Sequence, residues 1–269
     1  MSEKQPTKNQ PLWKSNVDSG YFQMLSIYGG EEKEEAKTKA KSEFGFALQS
    51  FKKSTSLQKC SADSIVNAIA NIARTSLTLN PIMQLAYLIP RKNQCTLEIS
   101  YRGMVKLLKD ANAIHHIEAY MVFGDEDYSF NPSTQELRHT QKFAKSEKEH
   151  NEREILGCYT RAILPSGIVS YCFMPFWELE KVRAESSSRE GMVWKKWRDE
   201  MYKKSVIKRH TKTLMTDQPS LLAAMEIDNL NNGLASIHKR SSIISTIENA
   251  SEVIEIDAEE ISQESTLFD

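Results

Sequence analysis

The chain has 269 residues, 40% of them hydrophobic and 26% charged, and its formal net charge is −1. These values are ordinary for a globular protein, and no run approaches the roughly 20 apolar residues that a membrane-spanning helix needs. The first ten residues, MSEKQPTKNQ, lack the apolar core of a secretory signal, so we expect a cytoplasmic protein without a membrane partner.

Apolar periodicity and turn residues predict a succession of helices and hairpins. Ile65, Ile69 and Ile72 recur at helical spacing, and their helix should end before Asn80-Pro81 because proline disfavours helical geometry in the preceding residue. The other predicted elements, in chain order, are a charged helix that includes 31–41, strands at 85–90 and 95–100, a helix at 101–112, strands at 114–123, 128–130 and 137–140, a charged mobile loop at 142–154, a hairpin of 155–164 and 168–174, a helix starting at Pro175, a basic helix at 194–215 and an apolar helix at 219–227.

This order of elements indicates an α+β fold, in which antiparallel β-hairpins pack with helices, rather than alternating βαβ units. We expect a flexible N-terminal arm over residues 1–30, a single core domain over 31–228 and a largely disordered tail over 229–269. From Thr246 to Asp269 the tail has eight acids and no Lys or Arg, a composition typical of disorder.

The strongest functional signal is a basic window from Trp194 to Met215, WKKWRDEMYKKSVIKRHTKTLM, with eight Lys or Arg side chains and two acids. Cations release the counterions of nucleic-acid phosphates and aromatic rings stack on bases, so this combination indicates DNA binding. The candidate DNA-binding residues of the window are Trp194, Lys195, Lys196, Trp197, Arg198, Lys203, Lys204, Lys208, Arg209 and Lys212.

If the window is one helix, Trp194 and Trp197 share a face that Lys204, Lys208 and Lys212 continue at every fourth position. Lysines at this spacing repel each other, and such repulsion is tolerated more readily when an anion is present. The alternative for each tryptophan is packing in the core, with the lysines extending into water.

A second set of candidates surrounds the first predicted hairpin. Its members are Arg91 and Lys92 in the turn and Tyr101, Arg102 and Lys106 on the following helix. Arg102 has the alternative of a salt bridge to a carboxylate such as Glu98. Arg161, in the middle of a strand of the second hairpin, either faces solvent or lines a groove.

Motifs for nucleotide-dependent or hydrolytic chemistry are missing from the sequence: it has no GxxxxGK[ST], no GxGxxG between a strand and a helix, no HExxH and no GxSxG. The four cysteines, at positions 60, 95, 158 and 172, form no CxxC pair and are expected to be reduced thiols. We expect no cofactor, with Mg²⁺ at most a modulator of DNA binding. Asp125 and Asp127 in GDEDYSF could hold a divalent metal, so a metal-dependent nuclease is the alternative.

Several longer blocks occur in a distinctive order. They are SIVNAIANIARTSLTLNP followed by LAYLIPRKN, then TLEISYRGMVKLLKDANAI with its YRGM core, GDEDYSF, CYTRAILPSGIVSYCFM and VWKKWRDEMYKKSVIKRHTKTL. Together they cover roughly residues 45–225, and this ordered set resembles the RecT-type phage recombinases, a family of single-strand annealing proteins.

The resemblance implies an α+β core and ATP-independent pairing of complementary DNA strands, without bond chemistry. It also implies an oligomeric ring or helical filament on DNA. The partners that it implies are single-stranded DNA, the annealed duplex, a partner exonuclease and the host single-strand binding protein.

Our hypothesis is that protomers align their hairpins and basic helices into one positive groove. In that groove Lys204, Lys208, Arg209 and Lys212 contact phosphates, supported by Arg91, Lys92, Arg102 and Arg161. The acidic tail is then either a solubilising segment or an arm that competes with DNA or docks a partner. A third alternative is a structural or regulatory protein that prefers duplex DNA and does not speed renaturation.

Overall fold

The computed structural model describes residues 11–186, 189–214 and 217–231. Within these ranges the chain forms ten helices and seven strands. The helices are α1 (Leu12–Tyr28), α2 (Glu34–Lys53), α3 (Thr55–Gln58), α4 (Ala62–Thr75), α5 (Tyr101–Asp110), α6 (Glu147–Glu152), α7 (Phe176–Glu185), α8 (Met192–Lys196), α9 (Arg198–Thr213) and α10 (Pro219–Asn231). The strands are β1 (Ala86–Arg91), β2 (Gln94–Ile99), β3 (His116–Phe123), β4 (Asp127–Asn131), β5 (Glu136–Thr140), β6 (Ile155–Ile163) and β7 (Val169–Pro175).

The strands form three antiparallel sheets. β3, β6 and β7 make a three-stranded sheet in the order β3–β6–β7, whereas β1–β2 and β4–β5 are separate hairpins. The predicted α+β class is therefore confirmed. Within the described ranges, no helix combines the length and the apolar character needed to cross a bilayer.

The chain divides into one unit of Met1–Ile227 and a second of Asp228–Asp269, of which only residues 228–231 are described. Of the tail predicted over residues 229–269, only residues 229–231 are described, and they form the end of α10; the rest lies outside the described residues.

Helix α1 corrects the prediction of a flexible arm over residues 1–30. It packs along α4 and buries Val17 and Leu25. Gly20 permits the close approach, because a Cβ at this position would lie 2.8 Å from the Cβ of Ile69. The first ten residues lie outside the described part of the chain.

The larger core forms where α4 meets the first hairpin. The predicted apolar face of α4 is confirmed, since Ile65, Ile69 and Ile72 are fully buried, and the helix ends at Thr75, well before Pro81. The same core includes the inner face of the hairpin and the apolar side of α5. These residues are Leu88, Cys95, Leu97, Ile99, Met104, Leu107 and Leu108.

Helix α6 corrects the prediction of a mobile loop over 142–154. The Ser146 hydroxyl accepts a hydrogen bond from the backbone N–H of Glu149 at 3.2 Å, which caps the helix start. His150 then packs edge-on against Phe123, and its Nε2 lies 2.6 Å from a carboxylate oxygen of Asp199. Tertiary contacts of this kind are not visible in a charged local sequence.

A second core joins α9 to the three-stranded sheet. It contains Cys158, Met174, Trp194, Tyr202 and Val206 among its members. Beside it, the buried His210 ring lies 2.7 Å from the Thr160 hydroxyl through Nδ1 and 3.1 Å from the Ser170 hydroxyl through Nε2. Because Thr160 is on β6 and Ser170 on β7, this one side chain ties α9 to two strands.

The buried His210 is expected to make the protein less stable in mild acid. Burial lowers the pKa of His210 from 6.5 to about 4, so the unfolded chain takes up the proton first as the pH falls. The neutral His210 ring contributes its full share to the free energy of unfolding above the pKa that His210 has in the unfolded chain. This share is lost as the pH falls towards the pKa of His210 in the folded protein. We expect the free energy of unfolding to drop by about 2 kcal/mol on this account between about pH 7.5 and about pH 5.

Urea denaturation across this pH range measures the effect. His210→Gln has a side chain that does not titrate and should flatten the pH dependence, whatever its cost at neutral pH. A variant with the same pH dependence as the wild type would show that His210 does not carry it.

Candidate nucleic-acid interface

The tip of the first hairpin is built by its turn sequence. Lys92 and Asn93 both have left-handed backbone angles, with φ of 46° and 66°, and they link Arg91 to Gln94, the last pair of the ladder. Two consecutive residues of this kind form the tight turn whose twist matches that of the strands. Lys92 is therefore exposed at the tip of the hairpin, in the turn where we predicted it.

The two strands of this hairpin divide their side chains between core and surface. Leu88 and Leu97 are paired and buried. Tyr87 and Glu98, paired on the opposite face, point outward, and Tyr87 is 40% exposed. Sequence reasoning missed Tyr87, although the alternation within LAYLIP was a signal that could have found it.

Helix α9 has a buried side and a lysine side. The buried residues are Tyr202, Val206, Ile207, His210 and Thr211. Lys204, Lys208 and Lys212 follow another side at every fourth position and are half-buried. The apolar parts of their side chains therefore lie along the protein, and α9 packs against α5.

Arg91, Glu98 and Lys208 form a cluster that we call the Glu98 junction. Arg91 Nη2 lies 2.8 Å from Oε2 of Glu98, and Lys208 Nζ lies 3.3 Å from Oε1. The side chains of Glu98 and Lys208 are 17% and 16% exposed, and that of Arg91 is 43% exposed. The structure thus brings together a hairpin cation and an α9 cation that are far apart in the sequence.

The start of α5 places two further candidates near the outer face of the hairpin. Tyr101 is half-buried, and Arg102 is exposed with its Nε donating to the Tyr101 hydroxyl at 3.5 Å. Burial raises the pKa of Tyr87, and the nearby Arg102 opposes this shift. The carboxylate of Glu98, the alternative partner of Arg102, pairs with Arg91 and Lys208.

Arg161 lies apart from the α9 candidates within one protomer. Thr160 faces α9, where it contacts His210, so the next residue along β6 points to the opposite face of the sheet. There Arg161 lies in register between Glu118 on β3 and Tyr171 on β7. A single protomer therefore does not place Arg161 on the same side of the sheet as α9.

The basic window is not one helix, which corrects the predicted face shared by Trp194 and Trp197. The chain breaks at Trp197, with φ of −125° and ψ of 38°, between α8 and α9. Trp194 is 3% exposed and packs edge-on against Tyr202 at 5.6 Å between ring centroids. Trp197 is 62% exposed. Trp194 is thus a core residue, as in the alternative interpretation, and Trp197 remains available at the surface.

Four other predicted DNA-binding cations also pair with carboxylates of the same protomer. The ion pairs are Lys106–Asp110 at 2.6 Å, Arg198–Asp199 at 3.2 Å, Lys203–Glu200 at 2.9 Å and Arg209–Glu178. Lys195 and Lys196 are exposed on α8. The positive charge of this region is therefore more compensated than the count of cations in the window indicates.

The GDEDYSF block forms a structural cluster around Glu126, whose side chain is 2% exposed. Its Oε2 accepts from the backbone N–H of Phe123 and lies 2.9 Å from His139 Nε2. Its Oε1 accepts from the backbone N–H of Lys142 at 3.0 Å and from Arg153 Nη2 at 2.8 Å. Burial raises the pKa of Glu126, but these four contacts outweigh it, and the pKa lies below its ordinary value.

The nuclease alternative gains no support from this geometry. Asp125 accepts a hydrogen bond from Arg153 Nε at 2.9 Å, and Asp127 is the first residue of β4. Among the residues that the structure describes, no group of three or more His, Cys, Asp or Glu side chains is placed to hold a metal ion. The four cysteines are free thiols, as predicted.

Comparison with known proteins agrees with the resemblance noted in the sequence. A family model described as the RecT family matches residues 44–236. The chain is also similar to Protein RecT of Escherichia coli (strain K12), with 27% identity over 176 residues. That match covers 62% of this chain and 64% of the length of the relative. Since the family model matches more than half of the chain, this protein belongs to the RecT family.

Proposed function

We propose that this protein binds single-stranded DNA and anneals complementary strands without ATP, as the RecT-type resemblance implies. The observation that carries the proposal is the Glu98 junction, where Arg91 of the hairpin meets Lys208 of α9. Two cations from separate elements, at one partly exposed place, offer the charged donors that a phosphate backbone needs.

In the proposed mechanism, the protein contacts the backbone of the strand and leaves the bases free. Phosphates follow Lys204, Lys208 and Lys212 along α9 and reach Lys92 at the hairpin tip. The exposed rings of Trp197 and Tyr87 provide surfaces for sequence-independent stacking. Base pairing with a second strand then supplies the specificity, and no bond is broken, so the mechanism needs no general acid or base.

We further propose that protomers assemble into a ring or helical filament that holds the annealed duplex. A partner exonuclease would supply single strands, and the host single-strand binding protein would be the other protein partner. These proposals rest on the family to which the chain belongs. Mg²⁺ is proposed only to modulate DNA binding.

Duplex formation by labelled complementary oligonucleotides tests the proposal. The purified chain, without nucleotide, should accelerate pairing of complementary strands and leave non-complementary strands unpaired. Electron microscopy of the mixture would show whether rings or filaments form. If pairing is no faster than in buffer, annealing is excluded as the function.

The same samples separate the alternatives. Loss of labelled ends that depends on Mg²⁺ would favour the nuclease. Tight binding of duplex without faster pairing would favour a structural or regulatory duplex-binding protein. Intact DNA with faster pairing supports the proposed function.

A further inference from the structure

Glu98 is an acid at the centre of a surface proposed to bind a polyanion. Both of its oxygens are engaged, Oε2 by Arg91 at 2.8 Å and Oε1 by Lys208 at 3.3 Å. Its side chain is 17% exposed, so the carboxylate is only weakly screened by water. A negative charge in this position opposes the approach of a phosphate, since like charges repel more strongly away from bulk water.

The same carboxylate resembles the proposed ligand in its chemistry. A carboxylate and a phosphate both accept charge-assisted hydrogen bonds from guanidinium and ammonium groups, at similar distances. A strand that reaches Arg91 and Lys208 must therefore share these donors with Glu98 or displace it. With Glu98 present, the formal charge of the three side chains is +1, from two cations and one acid.

We propose that Glu98 limits the affinity of this surface for single-stranded DNA by competing with the phosphate for Arg91 and Lys208. This inference rests on the proposed function. It assigns to Glu98 the role of favouring the release of bound DNA. A protein that pairs two strands by backbone contacts must let the strands adjust their register. It must then dissociate from the annealed duplex. An internal anion makes release easier, because it takes over the donors as the phosphate departs.

Replacing Glu98 by glutamine tests the competition. Glutamine keeps the length of the side chain and one acceptor oxygen but removes the charge. We expect Glu98→Gln to bind a labelled oligothymidine several-fold more tightly at about 0.1 M salt, and to release it more slowly. The logarithmic salt dependence should steepen by up to about 0.7, the value for one additional phosphate contact on a single strand.

Glu34→Gln is the matched control. Glu34 lies on α2, pairs with Lys37 at 2.7 Å and is 83% exposed, so its replacement makes the same change in net charge and releases one cation. No residue of α2 is among the proposed DNA-binding residues. This control should bind the oligothymidine like the wild type.

A double-variant cycle with Lys208→Gln separates local competition from net charge. If Glu98 competes at the junction, the gain from Glu98→Gln should shrink when Lys208 is replaced as well. A gain that persists unchanged, or that Glu34→Gln reproduces, overturns the inference. Weaker binding with a shallower salt dependence also overturns it, since Glu98 would then only position the cations.

Circular dichroism and urea unfolding establish that each variant is folded. If Glu98→Gln is unfolded, Glu98→Met has a similar length and no charge, and the same gain in affinity is expected. A wild-type chain that neither binds nor anneals DNA would end the proposed function and this inference together. Normal wild-type annealing with unchanged affinity of the variants would overturn this inference alone.

Discussion

Replacing Glu126 by glutamine is expected to lower the free energy of unfolding by about 3–5 kcal/mol at neutral pH, the usual cost of removing one partner of a buried ion pair. The Glu126 side chain is 2% exposed and that of its partner Arg153 is 10% exposed. The amide nitrogen of glutamine would face two of the donors that now bind a carboxylate oxygen. Arg153 would keep its ion pair with the more exposed Asp125.

The expected effect of Glu126→Gln depends on pH with a definite sign. The pKa of Glu126 is lowered from 4.5, so the native carboxylate binds a proton less readily than the unfolded one. Its stabilising contribution is present above the unfolded pKa and is lost as the pH falls through the folded pKa. The difference between wild type and variant should therefore narrow in acid.

Urea denaturation at neutral and acidic pH measures both parts of this prediction. Asp125→Asn is the matched control, because Asp125 binds the same Arg153 but is 50% exposed. An exposed ion pair of this kind contributes about 1 kcal/mol or less. The two variants could lose the same free energy of unfolding, or the loss in Glu126→Gln could be independent of pH. Either result would show that the burial of Glu126 does not determine its contribution to stability.

The elements that could be predicted from the sequence are those that local chemistry determines. The spacing of Ile65, Ile69 and Ile72 defines the buried side of α4, and the polar turn after β1 produces the first hairpin. Helix α1 was missed because Gly20 and its polar neighbours disfavour an isolated helix. Contact with Ile69 of α4 stabilises it, and this contact requires the glycine.

The break at Trp197 is a second feature that local sequence does not predict. In a straight helix, eight residues separate two Cα atoms by about 12 Å along the axis, yet the rings of Trp194 and Tyr202 are 5.6 Å apart. The break of the helix at Trp197 brings the two rings together. Neither proline nor glycine marks this position, so the local sequence does not predict the break, and the core that holds both rings is visible only in the folded structure.

For the candidate site, the sequence predicted the cations but not their partners. Lys208 and Glu98 lie 110 residues apart in the chain, and only the folded structure shows that they meet. Arg209 and Glu178 meet in the same way, across α9 and α7. A count of charges in one window therefore overestimates the local positive field, because acids from other elements fold onto it.

Replacing Lys204, Lys208 and Lys212 together by glutamine is expected to weaken single-stranded DNA binding more than any other change on α9. If each lysine contacts one phosphate, three contacts are lost, and the slope of log affinity against log salt should flatten by up to about 2. Relative to the affinities at about 1 M salt, this corresponds to a loss of up to about 100-fold at about 0.1 M. The loss should be uniform across DNA sequences, since phosphates carry no base identity.

Titrations of a labelled oligonucleotide at several salt concentrations measure the slope. The control replaces Lys41, Lys52 and Lys53 of α2 by glutamine; these three lysines are exposed and change the net charge by the same amount. Because long-range attraction depends on net charge and direct contact depends on position, the control should alter the affinity slightly and leave the slope nearly unchanged. Equal slopes for the α9 variant and the wild type would mean that the strand does not follow the lysine side of α9. The exposed cations of α8 and of the hairpin tip would then be the next candidates for phosphate contacts.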